Sequence, residues 1–406
     1  MYSKIPPALL PFLLVAAVFA STTSSAEVVR YQSLATGNVT ITGNTLGLSK
    51  ASGANSPGDL GSIGTFITTN TSSVDSVPAS SPSWPSGTTN AWAFGGSSAV
   101  LSIPPGSTVL HAELVWGGST SYVEDVTASL DVAVGLEGPA GTCGSITPDP
   151  ATAVTISEMP EFVAYEYYLR SSDVTSCVAA QGAGAWVASG VPATQHESVD
   201  SLNAAGWALI VAYRDTAEPL RTLAIIVDGS MVHELSSSNV TISGLATPDS
   251  GPVTGRLVAA ALEGDADLDG DQLGFGPAGG PLVQLAGVNN PVANFFASQI
   301  NGADGLLDSS GSFGTSNHDA PAGSNTIGAR QGFDTTGIAL SSASGHLVHG
   351  QSAADLQAST SGDAFVSMAY GLAVDRAAPT IPGLAIGGAV ILAAGILATG
   401  VRRSQR

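Results

Sequence analysis

Basic residues are the scarcest feature of this 406-residue chain, which has 12 Lys and Arg against 32 Asp and Glu and a formal net charge of −20. That deficit argues against holding nucleic acid by phosphate neutralisation, so no nucleic-acid partner is expected. Lys4 and Lys50 are the only lysines, so no Gly-rich, Lys-bearing phosphate loop exists. Charged residues of both signs make up 11%, under half of the roughly 25% usual for soluble domains. Such a composition weighs against a cytosolic helical enzyme or a coiled coil. No Gly-x-Ser-x-Gly elbow and no His-Glu-x-x-His pattern occurs, so neither common hydrolase signature is present. Cysteine appears twice, at Cys143 and Cys177. With no His or further Cys close by, the pair reads as a disulfide of an exported chain. Closing a loop of about 35 residues stabilises by ~3–4 kcal/mol on the chain-entropy account.

What the chain has in abundance is turn residues and apolar side chains. Gly (49) and Pro (23) disfavour long helices, while 44% apolar residues suffice for a core. Residues 1–26 read as a secretory signal, with Lys4 ahead of a short apolar run. Residues 27–376 form the expected exported β-sandwich, and 377–380 a short linker. Residues 381–401 are uncharged and long enough, at about 1.5 Å per residue, to cross a ~30 Å hydrocarbon layer. The basic tail 402–406, with Arg402, Arg403 and Arg406, places itself in the cytoplasm. The expectation is a single-pass protein of the cell envelope, anchored by its C-terminal helix, with 27–380 outside. That stretch holds all 32 acidic residues and only eight basic ones, a net −24. It repels anionic surfaces and attracts cations.

Short segments rich in Val, Ile, Thr and aromatics recur between Gly, Pro and Asn. They are 38–42, 65–69, 99–103, 109–116, 126–134, 162–168, 207–213, 223–227, 240–242, 256–262, 337–340 and 365–374. In 109–116, Leu110, Ala112, Leu114 and Trp116 share one face, as in a half-buried strand, whereas 207–213 is apolar throughout and reads as covered on both faces. Only 291–300 shows helical spacing. The class expected is all-β, an antiparallel, jelly-roll-like sandwich followed by one transmembrane helix. Trp84, Trp92, Phe94, Trp116, Trp186 and Trp207 are expected as core anchors, with sugar stacking the alternative for Trp84 and Trp92.

Several blocks resemble one module in order along the chain: TFITTN (65–70), VLHAELVWGGS (109–119), WALIVAYRDTAEPLR (207–221), GPVTGRLVAAALEGD (251–265), NNPVANFFASQI (289–300), RQGFD (330–334) and GDAFV (362–366). The module is similar to the N-terminal β-rich part of large bacterial surface proteins that carry immunoglobulin-like conserved repeats. The resemblance implies a wall- or envelope-displayed protein without enzymatic activity. Here the repeat array is missing and a hydrophobic segment follows directly, which points to a short, membrane-proximal version.

One stretch carries candidate chemistry. In Glu263-Gly-Asp-Ala-Asp-Leu-Asp-Gly-Asp271, Asp265, Asp267, Asp269 and Asp271 alternate, and Gly270 stands where a calcium loop turns sharply. These four are the candidate Ca2+ ligands; position twelve of the loop is Gly276 instead of Glu, and a solvated acidic turn is the alternative. Among the histidines, His346 and His349 lack a third ligand nearby. Glu113, Glu161 and Glu263 are expected as solvated strand ends. Two functions follow: a non-enzymatic surface module with a structural or adhesive role, engaging a surface protein, or a Ca2+-dependent, lectin-like sandwich engaging a glycan.

Overall fold

A strand without a polar face must be covered on both sides, and Ala205–Arg214 shows how this chain does it. Trp207, Leu209 and Val211 enter one hydrophobic cluster, while Ala208, Ile210 and Ala212 enter another. The same division by alternate residues recurs in Leu220–Val232, where Leu223, Ile225 and Val227 oppose Ala224 and Ile226, and in Thr254–Leu262. In the computed structural model, which describes residues 27–54, 56–58, 61–70, 84–122, 124–159, 164–195, 203–266, 268–314 and 332–377, this pattern builds four stacked β layers.

The two inner layers belong to one nine-stranded sheet. Its order is Val154–Glu158, Tyr165–Asp173, Thr108–Ser119, Ala205–Arg214, Val28–Thr45, Leu220–Val232, Phe365–Asp375, Thr254–Leu262, Phe333–Ser341, and the neighbours pair antiparallel. The 18-residue strand Val28–Thr45 joins the two halves. Its first half pairs with Leu220–Val232 and its second half, from Gly37 on, with Ala205–Arg214. The halves close face to face around Val39, Ile41, Ile210, Ile225, Val258 and Phe333. Close approach demands small residues: a Cβ on Gly206 would lie 2.1 Å from a Phe333 ring carbon, and one on Gly371 2.9 Å from Ile210.

Two four-stranded sheets form the outer layers. Gly141–Ile146, Val134–Gly138, Gly184–Ser189 and Gly96–Leu101 cover one half through Leu136, Trp186 and Leu101 against Leu114, Trp116 and Trp207. Ser237–Ser243, Ala353–Ser359, Gln272–Pro277 and Val283–Gln284 cover the other through Val240, Leu356 and Phe275 against Ala259, Tyr370 and Leu372. Ser237–Ser243 alternates strictly between exposed and buried, as an outer layer with one wet face should. The Cys143–Cys177 disulfide ties strand Gly141–Ile146 to the helix Thr175–Gln181 at a Cα–Cα distance of 5.8 Å.

The all-β class expected from the sequence is present, with corrections in detail. Residues 291–300 form no helix, and the one α-helix among the described residues is Thr175–Gln181. Residues 126–134 hold a 3-10 turn at Thr127–Ser129 in place of a strand. The strand Thr108–Ser119 is covered on both faces, because Val115 joins the inner cluster opposite Leu114 and Trp116. Phe94 is 71% exposed, while Trp84 is buried against the short sheet that contains Ile63–Ile67. The expected signal and the 381–401 span lie outside the described residues; among the described residues no helix is long and apolar enough to cross a membrane.

Candidate functional site

Three inner strands, Thr254–Leu262, Phe333–Ser341 and Phe365–Asp375, run side by side, and acidic residues gather at one end of them. Glu263 follows the first, Asp334 is the second residue of the next, and Asp363 precedes the third. Asp271 enters from the loop leading into Gln272–Pro277 of the outer layer. All four are buried, Asp271 and Asp334 almost completely. The structure thus divides the alternating run read from the sequence. Asp271 faces inward, Asp265 is half-buried, Asp269 is exposed, and Asp267 lies outside the described residues.

Backbone amides hold these carboxylates in place. Asp363 Oδ2 accepts from the Asp265 N–H at 3.0 Å and Oδ1 from the Ala364 N–H at 2.6 Å. Asp271 Oδ2 accepts from the Phe296 N–H at 2.9 Å, and Asp334 Oδ1 from the Gln299 N–H at 2.7 Å. Asn294 donates its Nδ2 to the Asp265 and Ala266 carbonyls at 3.1 and 3.2 Å, fixing the loop. Glu263 sits at a φ of 75°, unusual for a residue with a Cβ, and its N–H donates to the Gly332 carbonyl at 2.7 Å.

Dehydration, reinforced by neighbouring negative charge, sets the electrostatics. Burial first, and then Asp265, Asp363 and Asp271, push Glu263 well above the ordinary carboxylate range. Burial raises Asp363 to about 10 and Asp271 to about 7, the latter held back by the Phe296 amide. Asp334 is likewise driven well up by burial. Among the described residues no Lys, Arg or His acts on any of the four. Such a cluster has two chemical outlets: protons or a hard cation.

A second buried polar group is centred on Glu113, which is fully buried instead of capping a strand in solvent. Its Oε1 accepts from Arg30 Nε at 2.8 Å and from the Ser171 hydroxyl at 2.5 Å, and its Oε2 lies 3.0 Å from His111 Nε2. Arg30 also donates to Asp149 Oδ2 at 2.7 Å. Arg30 is the unpaired residue of a register shift between Val29 and Tyr31, the kind of bulge that re-aims a side chain. Every carboxylate oxygen of Glu113 is engaged, so this group reads as a structural clamp between the halves of the sheet. His346 and His349 lie in the loop after Phe333–Ser341; burial pushes His346 down, and the exposed His349 donates to the Gly251 carbonyl at 2.7 Å.

An open groove of about 730 Å3 runs between the edge strand Val154–Glu158 and residues 227–231. Ser230 and Ser238 donate to Asp228 in its floor at 2.6 and 2.7 Å. At its rim His233 lies 3.0 Å from Glu158 and stacks on Tyr165.

Asp334 and Asp363 were not among the ligands expected from sequence. Their signal was present: they sit in the RQGFD and GDAFV blocks, and Glu263 sits in the block that ends LEGD. Nothing in the spacing showed that three distant blocks meet at one end of adjacent strands.

No protein-family model and no curated protein matches the chain. Among solved structures it is similar to the STIV MCP, at 10% identity over 68% of this chain and 91% of that one, with a TM-score of 0.18. A likeness that slight carries no argument about fold or function.

Proposed function

We propose that this chain is a non-enzymatic module of the bacterial cell surface, exported and held at the membrane by 381–401, with a structural or adhesive role. The observation that carries the reading is the disulfide Cys143–Cys177 in an all-β, strongly acidic chain. Such a bond persists in oxidising compartments outside the cytoplasm. The jelly-roll-like wiring and the kinship with repeat-bearing surface proteins belong to the same proposal, the latter supported by the ordered sequence blocks. The test is protease shaving of intact cells: the module should be released or cleaved while a cytoplasmic marker stays whole. Full protection, with cleavage only after lysis, overturns export.

A Ca2+-dependent, lectin-like activity is the second reading, and the buried carboxyl cluster beside 263–271 favours it. Specific glycan-array binding that disappears in EDTA supports it. Silence on the array with normal surface display leaves the structural role standing.

A further inference from the structure

The acidic centre has features that simple solubility does not explain. Glu263, Asp271, Asp334 and Asp363 are 6%, 0%, 1% and 4% exposed, and burying one ionised carboxylate without a partner is already costly. Four of them converge from three neighbouring strands and one loop, with no cationic side chain among the described residues acting on them. The amides described above satisfy one oxygen of Asp271 and one of Asp334. Asp334 Oδ2 is buried with no hydrogen-bond partner, and Asp271 Oδ1 has none except the neighbouring Asp363 carboxyl, whose hydrogen bond holds Asp271 down. An independent group shows the same deficit. Asn294 is 3% exposed, its amide nitrogen is anchored on two carbonyls of the acidic loop, and its Oδ1 has no partner. Buried oxygens left unsatisfied are rare in native proteins and ask for a donor or an ion.

The donor set is all oxygen, anionic for the most part, with a neutral amide carbonyl added. That set suits a hard divalent cation of flexible coordination, Ca2+ before Mg2+, and not a thiolate- or imidazole-seeking metal. A helix dipole or a buried lysine could neutralise the cluster in principle. Neither is present there among the described residues.

We propose that Glu263, Asp271, Asp334 and Asp363, with the side-chain carbonyl of Asn294, form a Ca2+ site that ties the inner strands to the loop of the outer layer. The site departs from the contiguous run expected from sequence, sharing only Asp271 with it. Among the described residues no three acidic, cysteine or histidine side chains are grouped closely enough to hold a metal ion. The site therefore closes only on binding, as Ca2+ draws in the second oxygens of Asp271 and Asp334 while their backbone-amide contacts stay in place. Ca2+ here stabilises the fold whether or not a glycan is bound, and the proposal stands apart from the lectin reading.

The test uses the full chain, purified and stripped with EGTA, and calorimetric titration with CaCl2 and, separately, MgCl2 at pH 8. Binding is expected with half-saturation between about 0.1 μM and 1 mM, the span of sensor and extracellular calcium sites, and with Mg2+ weaker by at least tenfold. Carboxyls that hold protons in the empty site must release them, so the measured heat depends on the buffer's ionisation enthalpy. Asp334→Asn and Asp363→Asn should each weaken Ca2+ at least tenfold, whereas Asp269→Asn leaves it unchanged. Loss of the fold is told apart from loss of the site by melting without calcium: Asp334→Asn should melt at or above the parent temperature at pH 8. No heat and no thermal shift at 10 mM CaCl2 overturns the site. So does an Asp269→Asn variant as weak as Asp334→Asn, which assigns binding to the contiguous run.

Discussion

Removing the Glu113 carboxylate tests the packing account where its demands are sharpest. Glu113 is fully buried and receives Arg30, Ser171 and His111 at 2.8, 2.5 and 3.0 Å. Glu113→Ala leaves the Arg30 guanidinium facing the seam between the halves without its inner partner. Breaking a buried pair in this way costs about 3–5 kcal/mol. Arg30 retains Asp149 at 2.7 Å, whose side chain is one-third exposed, and Ser171 retains Thr152 at 2.8 Å. Those remaining bonds place the loss toward the lower end, ~3 kcal/mol. At roughly 2 °C per kcal/mol for a chain of this size, the melting temperature falls by about 6 °C. The double variant Glu113→Leu/Arg30→Met removes both charges and should recover most of that loss, because apolar replacement of a buried pair is often neutral. Urea unfolding of the parent, Glu113→Ala, the single variants Glu113→Leu and Arg30→Met, and the double variant checks this. A Glu113→Ala midpoint equal to the parent's, or a double variant worse than the singles, refutes the reasoning.

Other outcomes follow from the same structure. Without divalent cation, stability should fall as pH rises from about 4. The carboxyl Asp271 is raised to about 7 when folded, so the folded chain keeps a proton that the unfolded chain gives up. The decline from Asp271 runs between about pH 4 and about pH 7, at up to about 1.4 kcal/mol per pH unit. Asp363, raised to about 10, extends the decline. Flat melting temperatures between pH 5 and 9 in EGTA would contradict this. Reducing Cys143–Cys177, which spans a sequence separation of 34, should lower stability by about 3 kcal/mol; an unchanged urea midpoint in reductant counts against it. Gly206→Ala drives a Cβ to within 2.1 Å of Phe333 and should cost about 1–3 kcal/mol by overpacking, read as a lower melting temperature.

Period-two alternation and continuous apolar runs made the inner strands legible: Ala205–Arg214 and Phe365–Asp375 read as strands from their residues alone. Val134–Gly138, Gly141–Ile146 and Gly184–Ser189 did not, because they are short and glycines stand where the pattern needs side chains, although buried and outward residues alternate in Val134–Gly138 and Gly184–Ser189. Glu113 was misread because a lone carboxylate on an otherwise ordinary face gives no hint that Arg30, 83 residues earlier, bulges toward it. Phe295 and Phe296 lie at helical spacing from their neighbours, yet both rings are drawn into the outer core by contact with each other and with Phe365. The acidic centre was half legible. Asp271 stood out in the run, but Asp334 and Asp363 become its neighbours only through the pairing of Thr254–Leu262 with both flanking strands.

The cation centre is tested most directly by diffraction from crystals grown with CaCl2, using long-wavelength anomalous differences to locate calcium. One peak is expected, with oxygens of Asp271 and Asp334 at about 2.3–2.6 Å, the calcium–oxygen range, and Glu263, Asp363 and Asn294 turned toward it. A peak held by the exposed Asp269, or no peak at saturating calcium while the four carboxyls stay buried and apart, would contradict it.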